Sequence, residues 1–370
     1  MKYYLIAGEK SGDLHGSNLI KELKKLDSNA EIRAWGGDEM QKAGANLVRH
    51  YSEMAFMGFW EVFKNLLTIK RFLKECESDL KNYKPDVLIL IDYAGFNLRV
   101  AAIAKNLGIR VFYYISPKVW AWNQRRALKI KKLIDKMFVI MHFEKAFYKK
   151  FDYEVDYVGN PIFDAIRSHQ SNPKFLQDNN LSDKPIIALL PGSRKQELAF
   201  IFPTMLETAR QFLIKNPDYQ FVVAGVNELP HSFYEQAIRL GFPVIKNDTY
   251  NLLSHSVAAL VTSGTATLEV ALFQVPQVVC YKTSWLTYQI AKNLIKVKYI
   301  SLVNLIADKM LVRELIQNDL NLENLMNALE EVLGKERTRI LREYEEMKKM
   351  IATESASKET ARLIWKYLNQ

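Results

Sequence analysis

Short apolar runs alternate with longer amphipathic stretches along most of this chain. A strand that is apolar on both faces has to be covered on both faces, and parallel strands need a crossover between them. The alternation therefore restricts the chain to an α/β architecture built on parallel sheets. In the first half, strands are predicted at Tyr3–Ala7, Ile32–Trp35, Val87–Ile91, Val111–Ile115, Met137–Ile140 and Val155–Val158, with helices such as Ser17–Leu26 and Leu98–Leu107 between them. The rhythm stops over Asp164–Lys184, which is polar, contains Pro173, is followed directly by Pro185 and has no apolar periodicity. It restarts with strands at Ile186–Leu190, Phe221–Ala224, Val244–Ile245, Ala258–Val261 and Gln277–Cys280, and helices at Pro203–Ile214 and Thr265–Leu272. Two such blocks in 370 residues predict two Rossmann-like domains, 1–165 and 166–345. The charged stretch Arg337–Lys349 reads as a solvated helix face.

Charge narrows the partners. The chain has 51 Lys and Arg against 41 Asp and Glu, a net +10. Between Lys105 and Lys150 there are 12 basic residues against Asp135 and Glu144, so the excess is concentrated there. Such a cluster suits phosphate, whether on nucleic acid, an anionic membrane or a phosphorylated small molecule. The amino-terminal apolar run reaches Gly8 too soon for a signal-peptide core, and no stretch offers about 18 uncharged apolar residues. Cys76 and Cys280 suit a reducing compartment without a disulfide framework. The six histidines lack metal-ligand spacing and no Asp-x-Asp pair occurs, so no metal seat is expected.

Ligands of open parallel sheets bind where strands end and helices begin. Four such junctions carry distinctive chemistry. Gly8-Glu9-Lys10-Ser11-Gly12-Asp13 follows the first strand; its glycines permit close approach, although an ordinary βα turn has the same composition. Its spacing matches neither a dinucleotide fingerprint nor a P-loop. Asp92, at the end of Val87–Ile91, is placed either to take a proton from a substrate hydroxyl or to cap the next helix. Leu190-Pro-Gly192-Ser193-Arg194 combines a tight turn, a hydroxyl and a guanidinium fork suited to pyrophosphate. Ser263-Gly264-Thr265 crowds a helix start with hydroxyls and amides, and Glu269 follows one turn later, where a carboxylate suits ribose hydroxyls.

Two further segments admit more than one reading. In Met54–Leu73, Phe56, Phe59, Trp60, Phe63, Leu66 and Leu67 fall on one helical stripe, which suits either core packing or contact with acyl chains and a bilayer surface. Ser116-Pro-Lys-Val-Trp-Ala-Trp-Asn-Gln-Arg-Arg126 interleaves Trp120 and Trp122 with cations. It suits RNA stacking, a lipid interface, or a solvated helix with two packed tryptophans.

Gly8–Asp13, Met57-Gly58, Lys84-Pro-Asp86, Asp92–Asn97, Ser116–Trp122, Phe143-Glu-Lys-Ala-Phe147, Leu190–Arg194 and Ser263–Glu269, in this order, resemble the lipid-A-disaccharide synthase family over essentially the whole chain. The resemblance implies a GT-B fold with two Rossmann-like domains facing a cleft and a carboxyl-terminal helix, about 346–370, returning to the first domain. It implies inverting, metal-independent transfer from UDP-2,3-diacylglucosamine to 2,3-diacylglucosamine 1-phosphate, giving a β(1→6) disaccharide 1-phosphate and UDP, with no cofactor. Asp92 matches the general base. Glu9, Ser11, Gly12 and Asn97 on one side match substrate-binding positions, as do Gly192, Ser193, Arg194, Ser263, Gly264, Thr265, Glu269 and Asn304 on the other. The implied setting is cytoplasmic, peripheral on the inner face of the inner membrane, with an anionic lipid surface as partner, no nucleic acid, and an oligomer allowed. The chain departs from the family at Gly95, where a second carboxylate is usual, and at Asn160, where histidine is common. A UDP-sugar 2-epimerase, or a GT-B transferase on soluble sugars, would share the nucleotide site but has no use for an apolar arm.

Overall fold

In the computed structural model, which describes residues 1–53, 66–227, 229–294, 297–351 and 355–370, the chain divides into two units. One is Met1–Asp164 with Ile351–Gln370, and the other is Ala165–Met350.

The first unit is built on a seven-stranded parallel sheet of β1 (Lys2–Ala7), β2 (Glu31–Gly36), β3 (Asn46–His50), β4 (Val87–Ile91), β5 (Arg110–Tyr114), β6 (Lys136–Val139) and β7 (Asp156–Tyr157). The strand order is β3-β2-β1-β4-β5-β6-β7. Every residue of β4 is buried, as are Tyr3–Ala7 of β1, because helices cover both faces of these central strands. Strand β3 is absent from the sequence expectation: it lies at the edge, its residues are at best half-buried, and it has no continuous apolar run. Helix Ala356–Leu368 belongs to this unit. Its Ala361, Leu363, Ile364 and Leu368 share a core cluster with Leu19, Ile20 and Leu23 of helix Lys10–Leu26. Asp164 fixes its start by accepting from Ser355 Oγ and the amides of Ala356 and Ser357. The preceding helix, Arg337–Ile351, runs unbroken through residue 346, so the return begins at Ile351.

The second unit carries a six-stranded parallel sheet of β8 (Ile186–Leu190), β9 (Gln220–Gly225), β10 (Val244–Lys246), β11 (Ser256–Thr262), β12 (Gln277–Tyr281) and β13 (Glu314–Ile316). Its order is β10-β9-β8-β11-β12-β13. The three-residue edge strand β13 is absent from the sequence expectation, since Glu314-Leu-Ile316 offers only two apolar residues. Helix Lys195–Lys215 starts well before Pro203, the expected first residue, and holds the proline inside. The Glu197 carboxylate caps its start by accepting from the amides of Ser193 and Arg194, and the helix continues past Pro203, which forfeits one amide hydrogen bond.

In both sheets the strand order reverses direction once, between β1 and β4 and between β8 and β11. Chain connections leave to opposite sides at such a point and open a crevice at the carboxyl ends of the two strands.

Candidate active site

The four loops singled out by their chemistry are the loops that follow β1, β4, β8 and β11. They occupy the two reversal points in pairs.

After β1, the helix begins at Lys10, so Lys10–Asp13 is its first turn rather than loop. Glu9 is its extended N-cap and Ser11 is exposed. Gly12 is buried, and a Cβ there would lie 3.2 Å from that of Ala7, so the residue keeps the helix close to the strand. Asp13, also buried, accepts from the amides of Gly37 (2.7 Å), Glu39 (3.0 Å) and Met40 (3.1 Å) and thereby caps helix Asp38–Lys42.

After β4, Asp92 and Tyr93 are both left-handed, with φ of 46° and 47°. Two consecutive non-glycine residues in this region are strained and require outside support. Asn97 supplies part of it: it is fully buried and its Nδ2 donates to the carbonyls of Asp92 (2.8 Å) and Ile91 (3.2 Å). The Tyr113 hydroxyl donates to the same Asp92 carbonyl, and the Asp92 amide donates to Tyr114 O. Asn97 thus stands behind Asp92 as a support. The Tyr93 ring lies over Gly8, where a Cβ would come within 2.2 Å of it; the two loops of this pair pack on each other. The Asp92 carboxyl is half-buried. Burial raises its pKa, while the Lys118 cation and the Tyr93 amide pull it back. A carboxylate made more basic in this way is a better proton acceptor, as general-base work requires. Gly95, where the resemblance leads one to expect a second carboxylate, has open space where a Cβ would stand.

Lys118 is carried by the segment after β5, and that segment is tied down from the end of β6. The buried Glu144 carboxylate accepts from Ser116 Oγ and from the Met141 amide, the latter at 2.9 Å. Burial pushes its pKa up to about 7, against the opposing hydrogen bonds. Trp120 is buried and packs edge-on against Phe143 at 4.9 Å, whereas Trp122 is exposed. Asn160, where the resemblance leads one to expect histidine, is buried and accepts from the Ile162 amide.

In the second unit, Gly192 is left-handed at φ 100°, and a Cβ there would lie 2.3 Å from Glu197 Oε2. That oxygen accepts from the amides of Ser193 and Arg194, both at 3.1 Å, while Oε1 takes the Arg194 guanidinium at 3.1 Å. Arg194 is consequently held by one nitrogen, with the rest of its fork exposed to solvent. Sequence reasoning missed Glu197: the residue three before it is Arg194, so the usual Ser/Thr-x-x-Glu signature is absent. At the neighbouring loop, Gly264 and Thr265 are exposed and Ser263 donates to Ile300 O. The half-buried Glu269 accepts from Tyr250 OH at 2.9 Å, and burial raises its pKa. No sequence signal pointed to Tyr250, since it lies on another helix, Thr249–Ser254. Asn304 is fully buried; its amide bonds Val312 O and Glu314, and its oxygen takes the amides of Leu311 and Val312. Its capacity is spent on the chain, and it shapes the site from behind.

Of the predicted apolar stripe, Phe56, Phe59, Trp60 and Phe63 lie outside the described residues; Leu66 begins helix Leu66–Tyr83, and Leu67 on its next position is 82% exposed. Along helix Arg126–Leu133, Lys129, Lys131 and Lys132 are exposed together with Leu128. No helix among the described residues is long and apolar enough to cross a membrane.

A family profile described as lipid-A-disaccharide synthetase matches residues 3–366. The chain belongs to this family. It is 37% identical to the lipid-A-disaccharide synthase of Geobacter sulfurreducens over 325 residues, covering 87% of this chain and 85% of that one. It is 38% identical to that of Coxiella burnetii (strain Dugway 5J108-111) over 316 residues, covering 85% and 84%. Among solved structures it resembles a UDP co-structure of S. aureus MnaA, with TM-score 0.69, 15% identity, and coverage of 100% and 97%. A kitacinnamycin glycotransferase aligns with TM-score 0.65, 14% identity, and 99% coverage of both chains. At such identities these neighbours show the fold, which is GT-B, while membership of the lipid-A-disaccharide synthase family separates this glycosyltransferase from the epimerases that share its architecture.

Proposed function

We propose that this lipid-A-disaccharide synthase family member transfers the sugar of UDP-2,3-diacylglucosamine to the 6-hydroxyl of 2,3-diacylglucosamine 1-phosphate, with inversion to a β(1→6) linkage and release of UDP. The observation that carries this reading is the family match from residue 3 to residue 366. In the proposal, Asp92 accepts the proton of the acceptor hydroxyl as that oxygen attacks the anomeric carbon, and the bond to the UDP oxygen breaks. Its raised basicity and its half-buried position support the role. The negative charge that grows on the departing diphosphate is assigned to the free part of the Arg194 fork, the Ser193 hydroxyl and the Ser263–Thr265 loop, of which Gly264 and Thr265 are exposed, rather than to a metal ion. Glu269 is assigned to the ribose. Glu9, Ser11 and Gly12 contribute to the acceptor side, and Asn97 and Asn304 act as supports.

The acyl chains and the 1-phosphate are assigned to the apolar stripe around Phe59 and to the exposed cations near Lys129, which also suit an anionic bilayer surface at the inner face of the inner membrane. The test is direct: purified protein is incubated with both lipid precursors, with and without EDTA, and the products are weighed by mass spectrometry. A tetraacyl disaccharide 1-phosphate in both reactions is expected. Its absence from both overturns the reading, and its loss in EDTA alone overturns the metal-free assignment.

A further inference from the structure

The Glu269 carboxylate has two oxygens with different surroundings. Oε1 takes the Tyr250 hydroxyl at 2.9 Å, while no hydrogen bond reaches Oε2 among the described residues. Tyr250 is itself held in place: its ring packs against His169 (centroids 5.5 Å apart, edge-on) and against Phe273 (5.1 Å), and His169 packs on Phe273 as well. The hydroxyl is thus a fixed donor on a rigid ring, aimed at one oxygen of a half-buried acid beside the β8/β11 reversal point.

We infer that Tyr250 is a positioning residue for nucleotide recognition: by holding Glu269 Oε1 it presents Oε2 to the ribose hydroxyls and so sets the preference for a ribonucleotide over its 2′-deoxy analogue. This rests on the nucleotide reading above. The hydroxyl does two things at once. It fixes the rotation of the carboxylate, so that the remaining oxygen has one direction in which to accept. It also favours the ionised acid, opposing the burial that favours the neutral one. The ionised form is an acceptor at both oxygens and puts no competing donor toward the sugar hydroxyls. Recognition of a hydroxyl by a prepared buried acceptor discriminates strongly, because the analogue lacking the hydroxyl leaves that acceptor unpaired.

The experiment is calorimetric titration of the full-length protein, wild type and Tyr250→Phe, with UDP and with 2′-deoxy-UDP at pH 7.5. Phenylalanine keeps the ring that packs on His169 and Phe273 and removes only the donor. Wild type is expected to favour UDP by roughly 10- to 100-fold, the worth of a hydrogen bond to a charged acceptor. In Tyr250→Phe the ratio is expected to fall below about threefold through loss of UDP affinity, with 2′-deoxy-UDP binding unchanged. Glu269→Gln should show the same collapse. A Tyr250→Phe protein that keeps the wild-type ratio, or that loses both nucleotides equally, overturns the inference alone. A wild-type protein that binds neither nucleotide overturns the underlying nucleotide reading and the inference with it.

Discussion

Glu144 makes a quantitative prediction possible, because its carboxyl is buried, its partners are known and its pKa is pushed from the ordinary 4.5 to about 7. Between those values the unfolded chain has released the proton and the folded protein still holds it. Unfolding therefore releases a proton, and stability falls as pH rises through this window. The gap is roughly two and a half pH units, which at about 1.4 kcal/mol each amounts to ~3 kcal/mol between pH 4.5 and pH 7. Glu144→Gln is nearly isosteric and keeps an oxygen for the Met141 amide and a partner for Ser116, but it cannot ionise. Urea and thermal unfolding of both proteins in the same buffers isolate this one group, since every other carboxylate cancels in the difference. The advantage of wild type over the variant should shrink by ~3 kcal/mol from pH 4.5 to pH 7.5, which is about 6–12 °C in the relative midpoint for a unit of this size. Stability curves that stay parallel across the range would refute the burial argument. The outcome bears on the site as well, because Ser116 opens the segment that carries Lys118 to the neighbourhood of Asp92.

Three further outcomes are expected. Asp92→Asn should lower turnover by about 10²–10⁴-fold with UDP affinity unchanged by calorimetry; near-normal turnover removes Asp92 from the chemistry. Arg194→Ala should weaken UDP binding roughly 10- to 100-fold, as expected for charge-assisted contacts with a diphosphate, and an unchanged affinity would move the phosphates elsewhere. The double variant Phe59→Glu, Phe63→Glu should lose co-sedimentation with vesicles containing anionic lipid while retaining UDP binding; full retention on vesicles would return the stripe to a core role.

The local part of the architecture was legible from periodicity. Val87–Ile91 and Ile186–Leu190 stand as strands over the expected residues because a central parallel strand buries both faces and so leaves an unbroken apolar run. Edge strands such as Asn46–His50 escape that logic, since half of their surface meets solvent and their composition is free to be polar. Helix starts were read late for the same kind of reason. Lys10–Asp13 has loop-like residues, yet the first turn of a helix tolerates them when the glycine at position 12 lets it lie against β1.

Residue chemistry along the chain thus determined two Rossmann-like blocks, four loops rich in glycine, hydroxyls and charge, and a resemblance carried by their order. Only the tertiary structure decided that those loops meet in pairs where each sheet reverses, that Asp92 is held left-handed from behind by Asn97 and Tyr113, and that Asn304 faces inward. It also decided that Glu197 holds Arg194 by one nitrogen and that Tyr250 grips Glu269. The physical reason is range. Strand and helix periodicity arises between neighbours a few residues apart, whereas strand order, burial and side-chain pairing arise between segments far apart in the chain and are set by how whole elements pack.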